Sequence, residues 1–191
     1  MNKRGKQGDF NPEPPLVLLN GRLIPAGEAR VSVFDRGFAY GDSLIETMKL
    51  GGGRPAFFAE HFERLHRAAA QTGFSLPVSA DELYEQAVQL AAANGVSEGR
   101  LRLQLSRGVA PPPGGFDPAP GLAPVLLLIA ESFPGYPQSW YSEGIYCRTV
   151  PANRGRYAHL KSASLMPSVL ARQEALDAGA VDVPAHWPHA R

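Results

Sequence analysis

The feature that most constrains the fold is a strictly alternating segment from Arg100 to Ser106 (RLRLQLS). A period of two places Leu101, Leu103 and Leu105 on one face of a β-strand and polar residues on the other. A strand of this kind is half-buried, with its leucines against an apolar layer. The chain therefore has to build a sheet that is covered on at least one side.

Three more segments have the character of strands. Leu16 to Ile24 reads as a β-hairpin, because the Asn20-Gly21 pair at its centre suits a type I′ turn. A strand is predicted at 44–50, and the three glycines at 51–53 indicate a hairpin turn after it. The alternative for these glycines, a phosphate-binding loop, lacks the Lys-Ser/Thr pair that should follow. The continuous apolar run at 125–130 is typical of a strand in the interior of a sheet.

Two amphipathic helices are predicted between the strands. In the first, at 59–72, apolar residues recur at helical spacing and charged residues fall on the remaining surface. In the second, at 80–93, Ser79 and Glu82 form a capping-box pattern and Asn94-Gly95 supplies the end. Strands, two helices and further strands predict a compact α+β domain.

The pattern changes after residue 131. Prolines, a glycine and aromatic residues indicate a linker, and a strand (145–150) followed by a helix (167–178) opens a second unit. The final segment, VDVPAHWPHAR, has neither helical nor strand periodicity. The predicted organisation is a flexible tail at 1–15, an N-terminal α+β domain at 16–131, a linker at 132–143, the start of a second domain at 144–180 and an aberrant tail at 181–191.

Composition argues against several classes of function. A formal net charge of +1 does not favour a nucleic-acid or membrane-surface partner. No secretory signal is visible, and no apolar stretch approaches the roughly 20 residues that cross a bilayer. The single cysteine, Cys147, excludes an internal disulfide and favours a reducing, cytoplasmic location. His186 and His189 have no neighbouring carboxylate or thiol, so no metal site is predicted.

Four segments together resemble one enzyme family. Asp35 to Met48 (DRGFAYGDSLIETM) resembles the signature D-R-G-aromatic-x-aromatic-G-D-small-x-x-E of class IV aminotransferases, the fold-type IV pyridoxal-phosphate enzymes. Glu60 to Leu65 (EHFERL) is similar to a family segment whose arginine binds the cofactor phosphate. Ser106 to Gly108 and Lys161 to Ala180 are similar to two later segments, and the last carries the catalytic lysine. The four matches follow the family order.

The resemblance implies a fold, a cofactor and partners. The fold would be α+β, with the N-terminal α/β sandwich domain of the family and the first strand and helix of an incomplete second domain. The cofactor would be pyridoxal 5′-phosphate, the substrate an amino acid or keto acid, and the assembly a homodimer. Family members carry a later glutamate against the pyridinium nitrogen and backbone turns around the phosphate. Neither is recognised after Asp182, so a frameshift or premature end is expected to truncate the second domain.

The resemblance assigns cofactor binding to Lys161 and Arg64. Lys161 would be the catalytic Schiff-base residue, which requires a fixed and partly desolvated amine, such as one at a strand-to-helix junction. Taken alone, Lys161 would be read as a surface lysine. Arg64 would bind the phosphate through its planar fork of donors. The alternative for Arg64 is a solvated helix charge that pairs with Glu60.

The first and third matched segments contain the substrate candidates. Arg107 either orients a substrate carboxylate or braces its strand, and the sequence does not favour one over the other. Tyr40 is expected to pack near the pocket together with Phe38. Ile45 stands where several family members carry an aromatic residue facing the substrate. Structural roles are expected for the charged residues Asp35, Arg36, Asp42 and Glu46.

Three functions remain open from the sequence. The first is a class IV aminotransferase that acts on amino acids through the Schiff-base lysine and is impaired by the truncation. The second is 4-amino-4-deoxychorismate lyase, which releases pyruvate in the folate pathway, and the third is a catalytically inactive remnant. Ile45, the absence of arginine from 108–116 and the presence of Met166 in place of a tyrosine depart from branched-chain and D-amino-acid aminotransferases.

Overall fold

The computed structural model describes residues 15–110, 115–118, 121–151, 157, 159–182 and 185–186. The strands are β1 (Leu16–Leu19), β2 (Arg22–Pro25), β3 (Ser43–Gly51), β4 (Arg54–Pro55), β5 (Gly99–Ser106), β6 (Val125–Ser132), β7 (Val150–Pro151) and β8 (Ala185–His186). The α-helices are α1 (Arg36–Tyr40), α2 (Phe58–Thr72), α3 (Ala80–Ala93), α4 (Gln138–Ser142) and α5 (Met166–Asp177). The predicted α+β class is confirmed.

Six strands form one antiparallel sheet in the order β2-β1-β6-β5-β3-β4. The two predicted hairpins are part of it. Asn20 and Gly21 both have positive φ, as a type I′ turn requires. Gly52 and Gly53 also have positive φ and reverse the chain between β3 and β4. The glycine triplet is thus a turn, as the sequence predicted.

The alternating segment forms the centre of this sheet. β5 pairs along its whole length with β3 on one side and with β6 on the other. Leu101 lies opposite Met48 and Ala130, and all three side chains are buried. Directly opposite residues share a face, so the leucines of β5 extend into one continuous apolar layer.

Helices α2 and α3 cover that apolar layer. Leu65 of α2 and Leu83 of α3 belong to the same buried cluster as the sheet leucines. The predicted capping box starts α3: the Ser79 hydroxyl accepts from the Glu82 N–H, and the Glu82 carboxylate accepts from the Ser79 N–H. Both helix predictions are confirmed within one residue at each end.

The part of the chain after β6 differs more from the prediction. A short helix, α4, lies within the predicted linker at 132–143. The strand predicted at 145–150 is wrong in extent, since its pairing consists of a bridge from Cys147 to Asp182 and the two-residue β7. β8 pairs in parallel with β7. The final segment was predicted to contain no strand, and this prediction is wrong at 185–186. Residues 1–14 and 187–191 lie outside the described residues.

Candidate functional site

Most of the predicted site residues lie around one end of the sheet, where β3 begins and β5 ends. The loop that precedes β3 folds into the short helix α1, whose N-cap is Asp35. One Asp35 oxygen accepts from the N–H groups of Gly37 and Phe38, and the other accepts from the Ser106 hydroxyl at 2.6 Å. This buried carboxylate both starts α1 and ties it to the end of β5.

Asp42 holds two arginines between these elements. Its carboxylate accepts from Arg36 Nε at 2.7 Å and from Arg107 Nε at 2.8 Å. Arg36 also donates to the carbonyl of Gly115, which fastens the loop after β5. Both guanidinium groups are largely enclosed, with side-chain exposures of 4% and 11%. The predicted structural roles of Asp35, Arg36 and Asp42 are thus observed as contacts.

Arg107 makes four hydrogen bonds to protein groups. Beyond its two bonds to Asp42, it donates to the carbonyls of Thr72 and Gly73, and its guanidinium lies 4.2 Å from the centre of the Phe74 ring. These contacts brace the end of β5 against the end of α2. The alternative, in which Arg107 receives a substrate carboxylate, stays a prediction.

Glu46 organises a second cluster of charges on β3. It is 1% exposed, and its two oxygens accept from Nε and Nη2 of Arg64 on α2. The Nδ1 of His61 lies 2.7 Å from one of the same oxygens. Arg64 does not pair with Glu60 in this arrangement. His61 was not among the predicted site residues, although its place three residues before Arg64 puts both on one helix face.

The backbone of Lys161 lies beside the first residues of β3. Its carbonyl accepts from the Ile45 N–H at 2.8 Å, and the Ala163 N–H donates to the Ser43 carbonyl at 2.9 Å. Ser162 and Leu44 form the bridge between these bonds, so Lys161 stands directly opposite Ile45. The side chain of Lys161 is exposed, which differs from the expected partial desolvation. The predicted junction before a helix is observed, since α5 begins at Met166.

The aromatic candidates are less enclosed than expected. Phe38 is 76% exposed, so the expectation that it packs is wrong for the described residues. Tyr40 is 44% exposed, and the centre of its ring lies 5.4 Å from the centre of the Phe116 ring. Ile45 is half-buried. Lys161 and Ile45 are thus in direct backbone contact. Arg64 joins the same region through Glu46, the residue that follows Ile45.

Two carboxylates at this site make stability depend on pH. Burial raises the pKa of Asp42 and of Glu46, but the hydrogen bonds and charges of their partners outweigh it and hold each pKa below its ordinary value of 3.8 or 4.5. A lowered pKa in the folded state means that the unfolded chain binds more protons. The stabilisation is therefore present above these ordinary values and is lost as pH falls below them.

We expect Asp42→Asn to narrow the difference in stability between neutral and acid solution. The substitution removes a group whose ionisation favours the folded state, so its cost should be larger at about pH 7 than near pH 3. Urea unfolding at both pH values measures the difference. Glu63→Gln is the control, because Glu63 and its partner Arg67 are both 68% exposed. An Asp42→Asn cost that is equal at both pH values would contradict the expectation.

Other candidate sites are few in the part of the chain that the structure describes. A groove of about 440 Å³ between α2 and α3 is lined by Phe62, His66 and Phe74 among others, and none of the predicted site residues lines it. No group of three or more metal-ligating side chains occurs among the described residues. No helix described there is long and apolar enough to cross a bilayer.

A family model and curated proteins match most of the chain. The model for amino-transferase class IV matches residues 43–184. The chain is 33% identical over 170 residues to a D-alanine aminotransferase of Staphylococcus haemolyticus, covering 89% of this chain and 60% of that protein. It is also 33% identical over 167 residues to a D-alanine aminotransferase of Bacillus licheniformis, covering 87% of this chain and 58% of that protein. The chain thus spans about 60% of the length of these relatives.

Solved structures show the same fold. A branched-chain aminotransferase from the thermophilic archaeon Thermoproteus uzoniensis, solved with norvaline, aligns with a TM-score of 0.73 and 26% identity, covering 88% of this chain and 58% of that one. A 4-amino-4-deoxychorismate lyase from Pseudomonas aeruginosa aligns with a TM-score of 0.73 and 29% identity, covering 91% and 62%. The chain is thus similar in fold both to an aminotransferase and to a lyase.

Proposed function

The chain belongs to the class IV aminotransferase family, and on that premise we propose that it binds pyridoxal 5′-phosphate through Lys161 and acts in amino transfer between amino acids and keto acids. The observation that carries the proposal is the placement of two groups on consecutive residues of β3. Lys161 is hydrogen-bonded to Ile45, and Arg64 is hydrogen-bonded to Glu46. The backbone that carries the Lys161 amine and the Arg64 guanidinium are therefore both attached to one strand. A homodimer and a cytoplasmic location belong to the same proposal.

The chemistry of these groups fits the cofactor. Lys161 offers an exposed amine next to a fixed backbone. Arg64 uses Nε and Nη2 for Glu46, its side chain is 46% exposed, and no protein partner of its Nη1 occurs among the described residues. The hydrogen bonds to Glu46 raise the pKa of Arg64 and keep the guanidinium charged. A phosphate could accept from the Nη1 donors without breaking the existing pair.

Each residue has a defined part in the proposed reaction. When bound, pyridoxal phosphate supplies an aldehyde that condenses with amines and a ring that accepts electrons. Lys161 would hold the cofactor, and its Nζ would move a proton between the substrate Cα and the cofactor C4′. Arg64 binds the phosphate. Ile45 and Tyr40 contact the substrate side of the site in this proposal.

A second function is supported by one finding. A 4-amino-4-deoxychorismate lyase from Pseudomonas aeruginosa shares the fold, with a TM-score of 0.73 and 29% identity, although the curated relatives at 33% identity are D-alanine aminotransferases. Release of pyruvate from 4-amino-4-deoxychorismate uses the same lysine and cofactor as amino transfer. The two functions are separated by assays of amino transfer to 2-oxoglutarate and of pyruvate release, run on the same preparation. A chain that binds the cofactor and passes neither assay would be a non-catalytic member of the family.

Borohydride reduction in the presence of pyridoxal phosphate tests the proposal. The sequence has four lysines, at positions 3, 6, 49 and 161, so peptide mass mapping identifies the modified residue without ambiguity. We expect an absorbance band of the bound cofactor and a reduced adduct on Lys161. An unmodified Lys161, or equal modification of Lys3, Lys6 and Lys49, would overturn the proposal.

A further inference from the structure

Glu46 is a buried carboxylate to which the proposed chemistry gives no part. It lies on the core-facing side of β3, in register with Leu103 of β5, and is 1% exposed. A carboxylate in such a position is costly unless its oxygens accept several hydrogen bonds. The partners that satisfy Glu46 are Arg64 and His61, both on α2.

The geometry defines how the three groups share their protons. The 2.7 Å between His61 Nδ1 and a Glu46 oxygen requires a proton between them, and only the imidazole can supply it when the carboxylate is ionised. His61 Nδ1 is therefore a donor, and the contact of 3.1 Å from Arg64 Nη2 to that nitrogen is not a hydrogen bond. Glu46 accepts two bonds from Arg64 and one from His61. Nε and one Nη2 proton of Arg64 are committed to the carboxylate, whereas Nη1 is not.

Lys161 and Arg64 are attached to neighbouring residues of β3 in different ways. Ile45 donates its backbone N–H to the Lys161 carbonyl, whereas the side chain of Glu46, which points to the opposite face of the strand from Ile45, holds the Arg64 guanidinium. Pyridoxal phosphate carries its phosphate at a set position on one planar ring. Such a ligand binds best when the guanidinium that receives the phosphate is held in one orientation.

We propose that Glu46 is a positioning residue that fixes the orientation of the Arg64 guanidinium for the phosphate. It holds Nε and Nη2 of Arg64, leaves Nη1 without a protein partner among the described residues, and removes the rotamer freedom that a 46% exposed arginine otherwise keeps. His61 completes the coordination of the carboxylate and fixes its orientation. This inference rests on the proposed function, because the ligand is the cofactor phosphate.

The test compares pyridoxal phosphate with pyridoxal, which lacks the phosphate. Concentrations that give half-maximal borohydride labelling of Lys161 are measured for the wild type, Glu46→Gln, Arg64→Gln and the control Glu63→Gln. We expect Glu46→Gln to raise the value for pyridoxal phosphate about tenfold, equivalent to one charge-assisted hydrogen bond, and to leave the value for pyridoxal within about twofold. Glu63→Gln should match the wild type for both ligands. Thermal unfolding checks that each variant is folded.

A second variant and a second measurement keep the inference open to refutation. Should Glu46→Gln not fold, Glu46→Asp retains the charge but shortens the reach by one methylene, and the same loss of phosphate preference is expected. Retained preference in a folded Glu46 variant, with its loss in Arg64→Gln, would overturn the positioning role and leave the proposed function intact.

Protection of Arg64 by phosphate distinguishes the proposed function from the positioning role of Glu46. Inorganic phosphate should protect Arg64 from phenylglyoxal in the wild type but not in Glu46→Gln, whether or not Lys161 forms an adduct. An unlabelled Lys161 with this protection pattern would refute the proposed function and support positioning of an anion by Glu46. Equal protection of both proteins, or protection of neither, would overturn the inference.

Discussion

Replacement of Lys161 by arginine is expected to abolish the borohydride-stable adduct with pyridoxal phosphate. Arginine keeps the positive charge and the length of the side chain, but its guanidinium stays protonated and does not condense with an aldehyde. Any amino transfer should fall about a hundredfold to ten-thousandfold, the range that a positioned proton-transferring group contributes. Mass mapping of the reduced protein measures the first effect, and a keto-acid assay measures the second.

Lys49 supplies the matched control for this variant. It lies on β3, as does the backbone contact of Lys161, and its side chain is exposed. Lys49→Arg should leave both the labelling of Lys161 and the cofactor absorbance unchanged. Persistence of the cofactor band in Lys161→Arg, with labelling moved to Lys49, would mean that exposure rather than position directs the reaction.

Replacement of Asp42 by alanine should lower the free energy of unfolding by about 3 kcal/mol. Asp42 is the shared acceptor for Arg36 and Arg107, whose side chains are 4% and 11% exposed. Removing one member of an enclosed ion pair leaves the partner charge without compensation, which costs about 3–5 kcal/mol in buried sites. The lower part of the range is expected, since Asp42 itself is 20% exposed. Urea unfolding at neutral pH gives the value.

A surface pair again provides the comparison for the Asp42 variant. Glu63→Ala removes the partner of Arg67, at 4.0 Å and with both side chains exposed, and should change stability by less than about 1 kcal/mol. The loop at 115–116 should also loosen in Asp42→Ala, because Arg36 then loses the anchor that orients it toward Gly115. An effect of Asp42→Ala no larger than that of Glu63→Ala would show that the two arginines find other partners.

The regular elements of the first domain were predictable because local signals and burial agree there. The leucines of β5 alternate with polar residues and face the core, and Ser79 and Glu82 mark the start of α3 in the sequence as in the fold. The short helix α1 was not predicted. It has five residues, too few for periodicity, and depends on Asp35 and on a hydrogen bond from Ser106, 71 positions away.

The arrangement of the candidate site was predictable only in part. Resemblance named Lys161 and Arg64, but neither spacing nor composition indicates that both are linked to neighbouring residues of β3. The pairing of Arg64 with Glu46 spans 18 positions, whereas the only ion pair that the sequence suggested for Arg64 is the local one with Glu60. Burial decides between them, because Glu46 on the core side of the sheet needs a cation and the exposed Glu60 does not.

The segment from Lys161 to Ala163 also covers an edge of the sheet. The first residues of β3 have β5 on one side, and on the other side an edge whose N–H and C=O groups could recruit a strand from another molecule. The bonds from Ile45 to Lys161 and from Ala163 to Ser43 close that edge. Further along β3, the exposed charge of Lys49 discourages the same pairing. Any movement that frees Lys161 from β3 would therefore expose this edge, so the mobility of the segment is linked to the tendency of the chain to aggregate.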